Sequence, residues 1–296
     1  MTTGDSATGG AAVTGTAPPR RPARTQHVFV VDRTERVSPH LVRVHLGGPA
    51  FDEFADAGGE QLAATDRYVK LLLARPGLGL QPPFDLDALR SELSPGDLPV
   101  RRTYTIRLVD RVARTIAIDF VVHGDEGVAG PWALAARPGD RLSMSSPGGL
   151  WSPSDDPEVG HLLLADDSAL PAVASALESM PEHAHGLALV EVDTPDDELD
   201  LARPSGVELR WLHRRGAATP GSLLIAALRS LETPTGPVTV FAHGERGAMK
   251  EARAVLQDDW RLDRTALSLS AYWALGRAED RFQAEKREPV GAIFTD

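Results

Sequence analysis

Arg102, Tyr104 and Thr105 occupy positions i, i+2 and i+3 of the run Val100-Arg101-Arg102-Thr103-Tyr104-Thr105-Ile106-Arg107, which is rich in strand formers. In an extended chain alternate side chains share a face, so Arg102 and Tyr104 point the same way, with the Thr105 hydroxyl and backbone close by. A guanidinium, a phenol and a hydroxyl so placed make a cradle for a flavin. The phenol lies against the isoalloxazine, the cation pairs with a phosphate of its tail, and the hydroxyl hydrogen-bonds near N5. The same pattern also suits an ordinary barrel strand fringed by arginines. Downstream, Ile118 to His123 reads as a strand that runs into the turn Gly124-Asp125-Glu126-Gly127 and then a short helix at Ala129-Gly130-Pro131-Trp132. Backbone amides at such a helix start are unpaired donors able to hold a pyrophosphate. His123, at the strand end, suits either a hydrogen bond that tunes a flavin or a satisfied structural role.

Two differently built halves must position these residues. In the first, short strands are expected over 28–31, 41–46, 68–73, 100–107, 116–123 and 141–145, separated by turn signals such as Ser38-Pro39, Arg137-Pro138-Gly139-Asp140 and Pro147-Gly148-Gly149. A polar, proline-bearing insertion covers 75–99. Six such strands predict a small antiparallel β-barrel. From about residue 151 the rhythm changes. Apolar runs at 161–164, 187–192, 207–212 and 238–241 read as strands, and 169–180, 220–231 and 247–256 as helices, with Thr219-Pro220 as cap and first residue of the second helix. Alternating strands and helices predict a C-terminal α/β domain, a parallel sheet covered on both faces with its ligand crevice beyond the carboxyl ends of the strands. Asp166, Ser168, Gly244 and Glu245 follow such ends, where helix capping is the other role open to them. The expected organisation is a disordered tail over 1–25, a β-barrel domain over 26–150 and an α/β domain over 151–296.

Bulk properties narrow the function classes. The 296 residues include no cysteine, which excludes disulfides, cysteine-ligated iron–sulfur clusters and catalytic thiols, so redox chemistry here calls for a bound organic cofactor. A formal net charge of −11 argues against nucleic-acid binding. No apolar stretch approaches the roughly 18 residues of a membrane span. The N-terminus, rich in Thr, Gly, Ala and Pro, fits a tail better than a signal peptide, and a cytoplasmic location is expected. No metal site is expected: His183 and His185 form the only close histidine pair, and no third ligand accompanies them. Lysine occurs only at Lys70, Lys250 and Lys286.

Further segments are familiar as a set. Leu164-Ala165-Asp166-Asp167-Ser168-Ala169-Leu170-Pro171-Ala172, His243-Gly244-Glu245, Ala271-Tyr272-Trp273 and Ala284-Glu285-Lys286-Arg287-Glu288 follow the Tyr104 strand and the glycine turn in order. From about residue 26 onward the chain resembles the siderophore-interacting proteins, FAD-containing ferric-siderophore reductases of the ferredoxin-reductase superfamily. The resemblance implies a flavin-binding barrel followed by a nicotinamide-binding-like domain. FAD would contact Arg102, Thr103, Tyr104, Thr105, Arg107, Val121, His123, Ala129, Gly130 and Trp132. Asp166, Ser168, Glu245, Tyr272 and Trp273 would face the nicotinamide of NADPH or NADH, with ferredoxin as the other possible electron donor. Lys70, Arg277, Lys286 and Arg287 would form a cationic rim for the ferric siderophore. Siderophores hold Fe(III) with hard oxygen donors and Fe(II) more weakly, so adding one electron loosens the metal without an acid–base residue. The chain departs from the family pattern at Gly130, where serine or threonine is usual, at Ala165 for glycine, at His243 for alanine, and at Ala274-Leu275 for a basic pair. Another ferredoxin-reductase-like flavoenzyme and a non-catalytic binding protein of the same fold remain the alternatives. Oligomeric state is not readable.

Overall fold

The structure, a computed structural model, describes residues 25–124, 127–216 and 219–294; the expected tail lies outside them apart from Thr25. All six expected N-terminal strands form: β1 (His27–Ser38), β2 (Leu41–Gly47), β3 (Tyr68–Leu73), β4 (Val100–Asp110), β5 (Thr115–Val121) and β6 (Arg141–Met144). They close into an antiparallel barrel in the order β1-β2-β5-β4-β3-β6. Two-residue alternation drives the closure, sending Phe29, Val31, Val44, Leu46, Val69, Leu71, Ile106 and Ile118 into one apolar interior. Helix α1 (Phe51–Gly58) adds Phe54 to this core, edge-on to Phe29 at 5.0 Å. The insertion over 75–99 is not all loop. It carries α2 (Leu86–Glu92), whose first amides donate to the Asp85 carboxylate. Helix α3 (Ala129–Ala135) packs Ala129 and Ala133 into the barrel core.

The second half comprises β7 (Gly160–Asp166), α4 (Leu170–Ser179), β8 (His185–Val192), β9 (Gly206–His213), α5 (Ser222–Arg229), β10 (Val238–Glu245), α6 (Arg246–Arg253), β11 (Leu267–Trp273) and α7 (Glu279–Glu285). Its five strands are parallel in the order β11-β10-β7-β8-β9. Strand order therefore reverses between β7 and β10, which is where open α/β sheets place their ligands. Helix α4 packs on one face of the sheet, α5 and α6 on the other.

Two details differ from the sequence expectation. Ser268 and Ser270 interrupt the apolar run of β11, which hides this edge strand from a reading based on hydrophobicity. Helix α5 starts at Ser222 with Gly221 as its cap residue, not at Pro220 after Thr219. The reason is tertiary: the buried Glu191 carboxylate on β8 accepts from the Gly221 amide at 2.6 Å and the Leu224 amide at 3.0 Å, displacing the local Thr-Pro signal.

Polar ties lock the barrel to the sheet. Arg107 on β4 makes a two-pronged ion pair with Glu178 on α4, and the Ser175 hydroxyl donates to the Arg107 carbonyl at 3.0 Å. Asp197 accepts from Ser38 at 3.0 Å and pairs with the His40 ring at 2.9 Å. Arg107 is 5% exposed. Glu178→Ala therefore leaves a buried cation unpaired and is expected to cost about 3 kcal/mol of unfolding free energy in urea.

Candidate active site

Strand β4 presents Arg102, Thr103, Tyr104 and Thr105 beside β3, and their register sets Lys70 opposite Thr103 and Leu71 opposite Arg102. The Tyr104 ring packs on Phe120 at 4.5 Å and Phe120 on Trp132 at 5.6 Å, an aromatic row that runs from β4 across β5 to α3. Burial pushes the Tyr104 phenol up, so it stays a protonated donor. Arg102 donates to its neighbour's carbonyl at 2.8 Å and to Asp280 of α7 at 3.0 Å. Thr105 is buried and close enough to the Tyr272 phenol of β11 to lower that group's pKa against the effect of burial, so β4 and the parallel sheet approach each other at this pair. Arg107, in contrast, is spent on Glu178. At the end of β5, Val121 is half-buried and His123 exposed. A Cβ on Gly130 would stand 3.4 Å from the Val121 carbonyl oxygen, an ordinary van der Waals contact, so the packing of α3 on β5 does not itself require glycine. Ala129 is buried in the barrel core.

At the carboxyl edge of the parallel sheet, Asp166 accepts from the Ser168 amide at 2.9 Å, the Ser168 hydroxyl and the Trp273 indole at 2.7 Å. Burial raises its pKa and these hydrogen bonds oppose the rise. Glu245 accepts from the Ala248 amide of α6 at 3.0 Å and the Leu275 amide at 3.0 Å. With Glu191 at the start of α5, three buried carboxylates hold backbone amides along this edge. Glu245 thus caps α6, whereas Asp166 and Ser168 bond to each other ahead of α4, which has no side-chain cap; all three lie at the carboxyl ends of β7 and β10, beside the switch point. Burial also pushes up the Tyr272 phenol.

The cationic residues fall into two groups. Lys286 feels the charge of Lys70: burial lowers the Lys286 ammonium, the nearby Glu279 opposes this, and the like charge of Lys70 adds to it. Lys286 also sits over the Phe282 ring at 4.7 Å. Arg277, however, belongs to a hub around the buried Glu285, with Arg277 at 3.1 Å, Arg281 at 2.8 Å and Arg246 at 2.6 Å. Arg287 is exposed on the turn after α7. Sequence reasoning missed the hub and Asp280; the Arg281–Glu285 spacing of i, i+4 was its one readable trace.

The hub carries a pH prediction. Hydrogen bonds from Arg246 first, then Arg281 and Arg277, hold the Glu285 carboxyl at about 2 against an ordinary 4.5. A depressed carboxyl stabilises the fold fully above the ordinary value and loses that contribution as pH falls through the folded one. Glu285→Gln should lower the melting temperature at pH 7, and the gap to the unsubstituted protein should close as pH approaches 2.

The chain was then compared with known proteins. Residues 30–151 match the siderophore-interacting FAD-binding domain, and residues 159–276 match the siderophore-interacting protein model. Ferric vibriobactin reductase ViuB of Vibrio cholerae is 34% identical over 88% of this chain and 94% of its own length. The NADPH-dependent ferric-chelate reductase of Escherichia coli is 30% identical over 86% and 97%. An uncharacterized protein of Mycobacterium tuberculosis is 40% identical over 90% and 96%. Among solved structures, the siderophore-interacting protein SipS of Aeromonas hydrophila superposes with a TM-score of 0.75 at 28% identity, covering 92% of this chain and all of that one.

Proposed function

The chain belongs to the siderophore-interacting protein family, and from that premise we propose that it is an FAD-dependent reductase of ferric siderophores. The supporting observation is the Tyr104–Phe120–Trp132 aromatic row with Arg102 two residues from Tyr104 on the same face of β4, in a barrel that matches the siderophore-interacting FAD-binding domain. Lys70, opposite Thr103, lies on the other face of β4 from Arg102 and Tyr104.

The donor set fits FAD. Tyr104 would offer an aromatic face, Arg102 a cation for a phosphate, and Thr105 a hydroxyl. Bound flavin would supply the conversion between a two-electron donor and a one-electron acceptor such as Fe(III). The protein's own residues would bind and orient: Arg102 would exchange Asp280 for a phosphate, the Tyr104–Phe120–Trp132 row would back the ring system, and the two lysines would attract an anionic chelate on an otherwise acidic molecule.

The electron donor on this reading is NAD(P)H, as the name of the Escherichia coli relative states for that protein. Ferredoxin is the second reading, favoured by one feature: Glu191 and Glu245 already take first-turn amides of α5 and α6, which leaves only the start of α4, without a side-chain cap, for a pyrophosphate. Stopped-flow reduction of the FAD-loaded protein by NADPH, NADH and reduced ferredoxin decides between them. For the rim, the double substitution Lys70→Glu with Lys286→Glu should raise KM for a ferric catecholate chelate by roughly tenfold or more, about 1.4 kcal/mol, and leave flavin reduction by the donor unchanged. An unaltered KM would remove these lysines from the substrate site.

A further inference from the structure

His243 stands on β10, in register with Ala165 of β7 and Ser270 of β11, two residues before the switch-point carboxylate Glu245. It is 5% exposed. Its ring stacks on Phe241 at 3.9 Å with 21° between planes, and Tyr272 packs edge-on against it at 5.0 Å. Nε2 lies 3.1 Å from the Ser268 hydroxyl. Nδ1 is buried with no hydrogen-bond partner.

A buried imidazole nitrogen left unmatched is costly, and such a group needs a reason. Burial holds the His243 pKa down to about 3, so the ring is neutral at working pH and carries one donor and one acceptor nitrogen. Among the described residues two other buried side-chain atoms lack partners, His27 Nδ1 and Arg107 Nε. His27 lies in the barrel wall against Phe54, and Arg107 is held in the Glu178 pair. His243 alone of the three sits at the carboxyl edge of the sheet, beside the tyrosine that approaches β4.

We propose that His243 is a positioning residue for the hydride donor, its Nδ1 pairing with the carboxamide of a nicotinamide nucleotide. The inference rests on the reading of the donor as NAD(P)H. A carboxamide suits either state of the ring. If Nε2–H donates to Ser268, Nδ1 accepts from the amide N–H; if Ser268 donates to Nε2, the Nδ1–H donates to the amide carbonyl. Phe241 fixes the ring plane from below, and Ser268 fixes its rotation. Nδ1 is buried and Tyr272 packs edge-on against the ring at 5.0 Å, so a carboxamide would reach Nδ1 as that phenol moves aside. A carboxamide so held would fix the plane of the nicotinamide.

The test uses the FAD-loaded full chain and oxidised nucleotides, with calorimetric Kd values for NADP+, NAD+ and their analogues bearing an unsubstituted pyridine in place of nicotinamide. The protein should bind the better carboxamide nucleotide roughly tenfold tighter than its analogue, and His243→Ala should close that gap to within about twofold. A gap that persists in His243→Ala, or no gap in the unsubstituted protein, overturns the assignment and leaves the donor reading standing. Should neither nucleotide bind, the assignment falls together with NAD(P)H, while reoxidation of chemically reduced flavin by a ferric chelate still tests the reductase reading. Because the variant opens a cavity beside Phe241, a second measurement avoids substitution. In histidine-labelled protein the His243 Nδ1 resonance should move on adding the favoured nucleotide and stay fixed with ADP-ribose. A resonance that ignores both overturns the proposal.

Discussion

Tyr104→Ala is expected to weaken FAD binding by roughly tenfold or more, since an aromatic stack is worth about 0.5–1.5 kcal/mol beyond its burial and about 1.4 kcal/mol is tenfold in Kd. The ring does two jobs at once. It offers one face to the isoalloxazine, and it anchors the row through Phe120 to Trp132 that keeps β4, β5 and α3 in one plane of contact. Its removal also opens the barrel core, at about 3 kcal/mol for an aromatic cut back to alanine. Tyr104→Phe separates the two effects, because it keeps the stack and the packing and deletes only the hydroxyl. Spectrophotometric titration with FAD should show Tyr104→Phe close to the unsubstituted protein and Tyr104→Ala far weaker. Equal affinity in all three would place the flavin ring elsewhere.

Glu191→Ala should destabilise the C-terminal half by about 3 kcal/mol or more. The carboxylate is completely buried and accepts from the Gly221 amide, the Leu224 amide and Arg214. Its loss strands two buried N–H groups, each costing about 1–3 kcal/mol, and weakens the hold on a half-buried guanidinium. Arg214 keeps Asp167, so the cation itself is not orphaned. The start of α5 should fray first, visible as faster amide exchange over 221–225 before the sheet itself opens. Glu191→Gln keeps an acceptor oxygen for one of the amides and should recover part of the loss in urea unfolding. Full stability in Glu191→Ala would mean that Gly221 holds the helix start without help from β8.

Local physics explains what was legible in the sequence. The barrel strands announce themselves by two-residue alternation, as in Phe29 and Val31 or Val44 and Leu46, and the α/β half by solid apolar runs such as Leu162-Leu163-Leu164. Strand β11 escaped because serines occupy alternate positions on an edge strand, where one flank has no partner to satisfy. The start of α5 was misjudged because its cap comes from a carboxylate 30 residues away on another strand. Arg107 illustrates the wider limit: its place in the Arg-x-Tyr-Thr run marks it for the cofactor, but Glu178, 71 residues on, takes up its guanidinium. Arg277 is similar, nominated for the rim yet bound at Glu285. Lys70 and Lys286 are near enough for the charge of one to lower the ammonium of the other, a relation no local pattern could reveal because it depends on how the C-terminal segment lies across β3 and β4. Glu245 shows that capping and placement at a ligand crevice are compatible roles for one residue.

The account stands or falls on a flavin held against β4 passing electrons to a chelated ferric ion. The direct measurement is to load the purified chain with FAD, reduce it anaerobically with dithionite, remove the excess and mix it with a ferric catecholate siderophore while following the flavin absorbance and trapping Fe(II). The prediction is a saturating FAD titration, return of the oxidised flavin band on mixing, and two Fe(II) captured for each flavin reoxidised, because a fully reduced flavin carries two electrons. A chain that takes up no FAD, or a reduced flavin that persists beside the ferric siderophore, would contradict it.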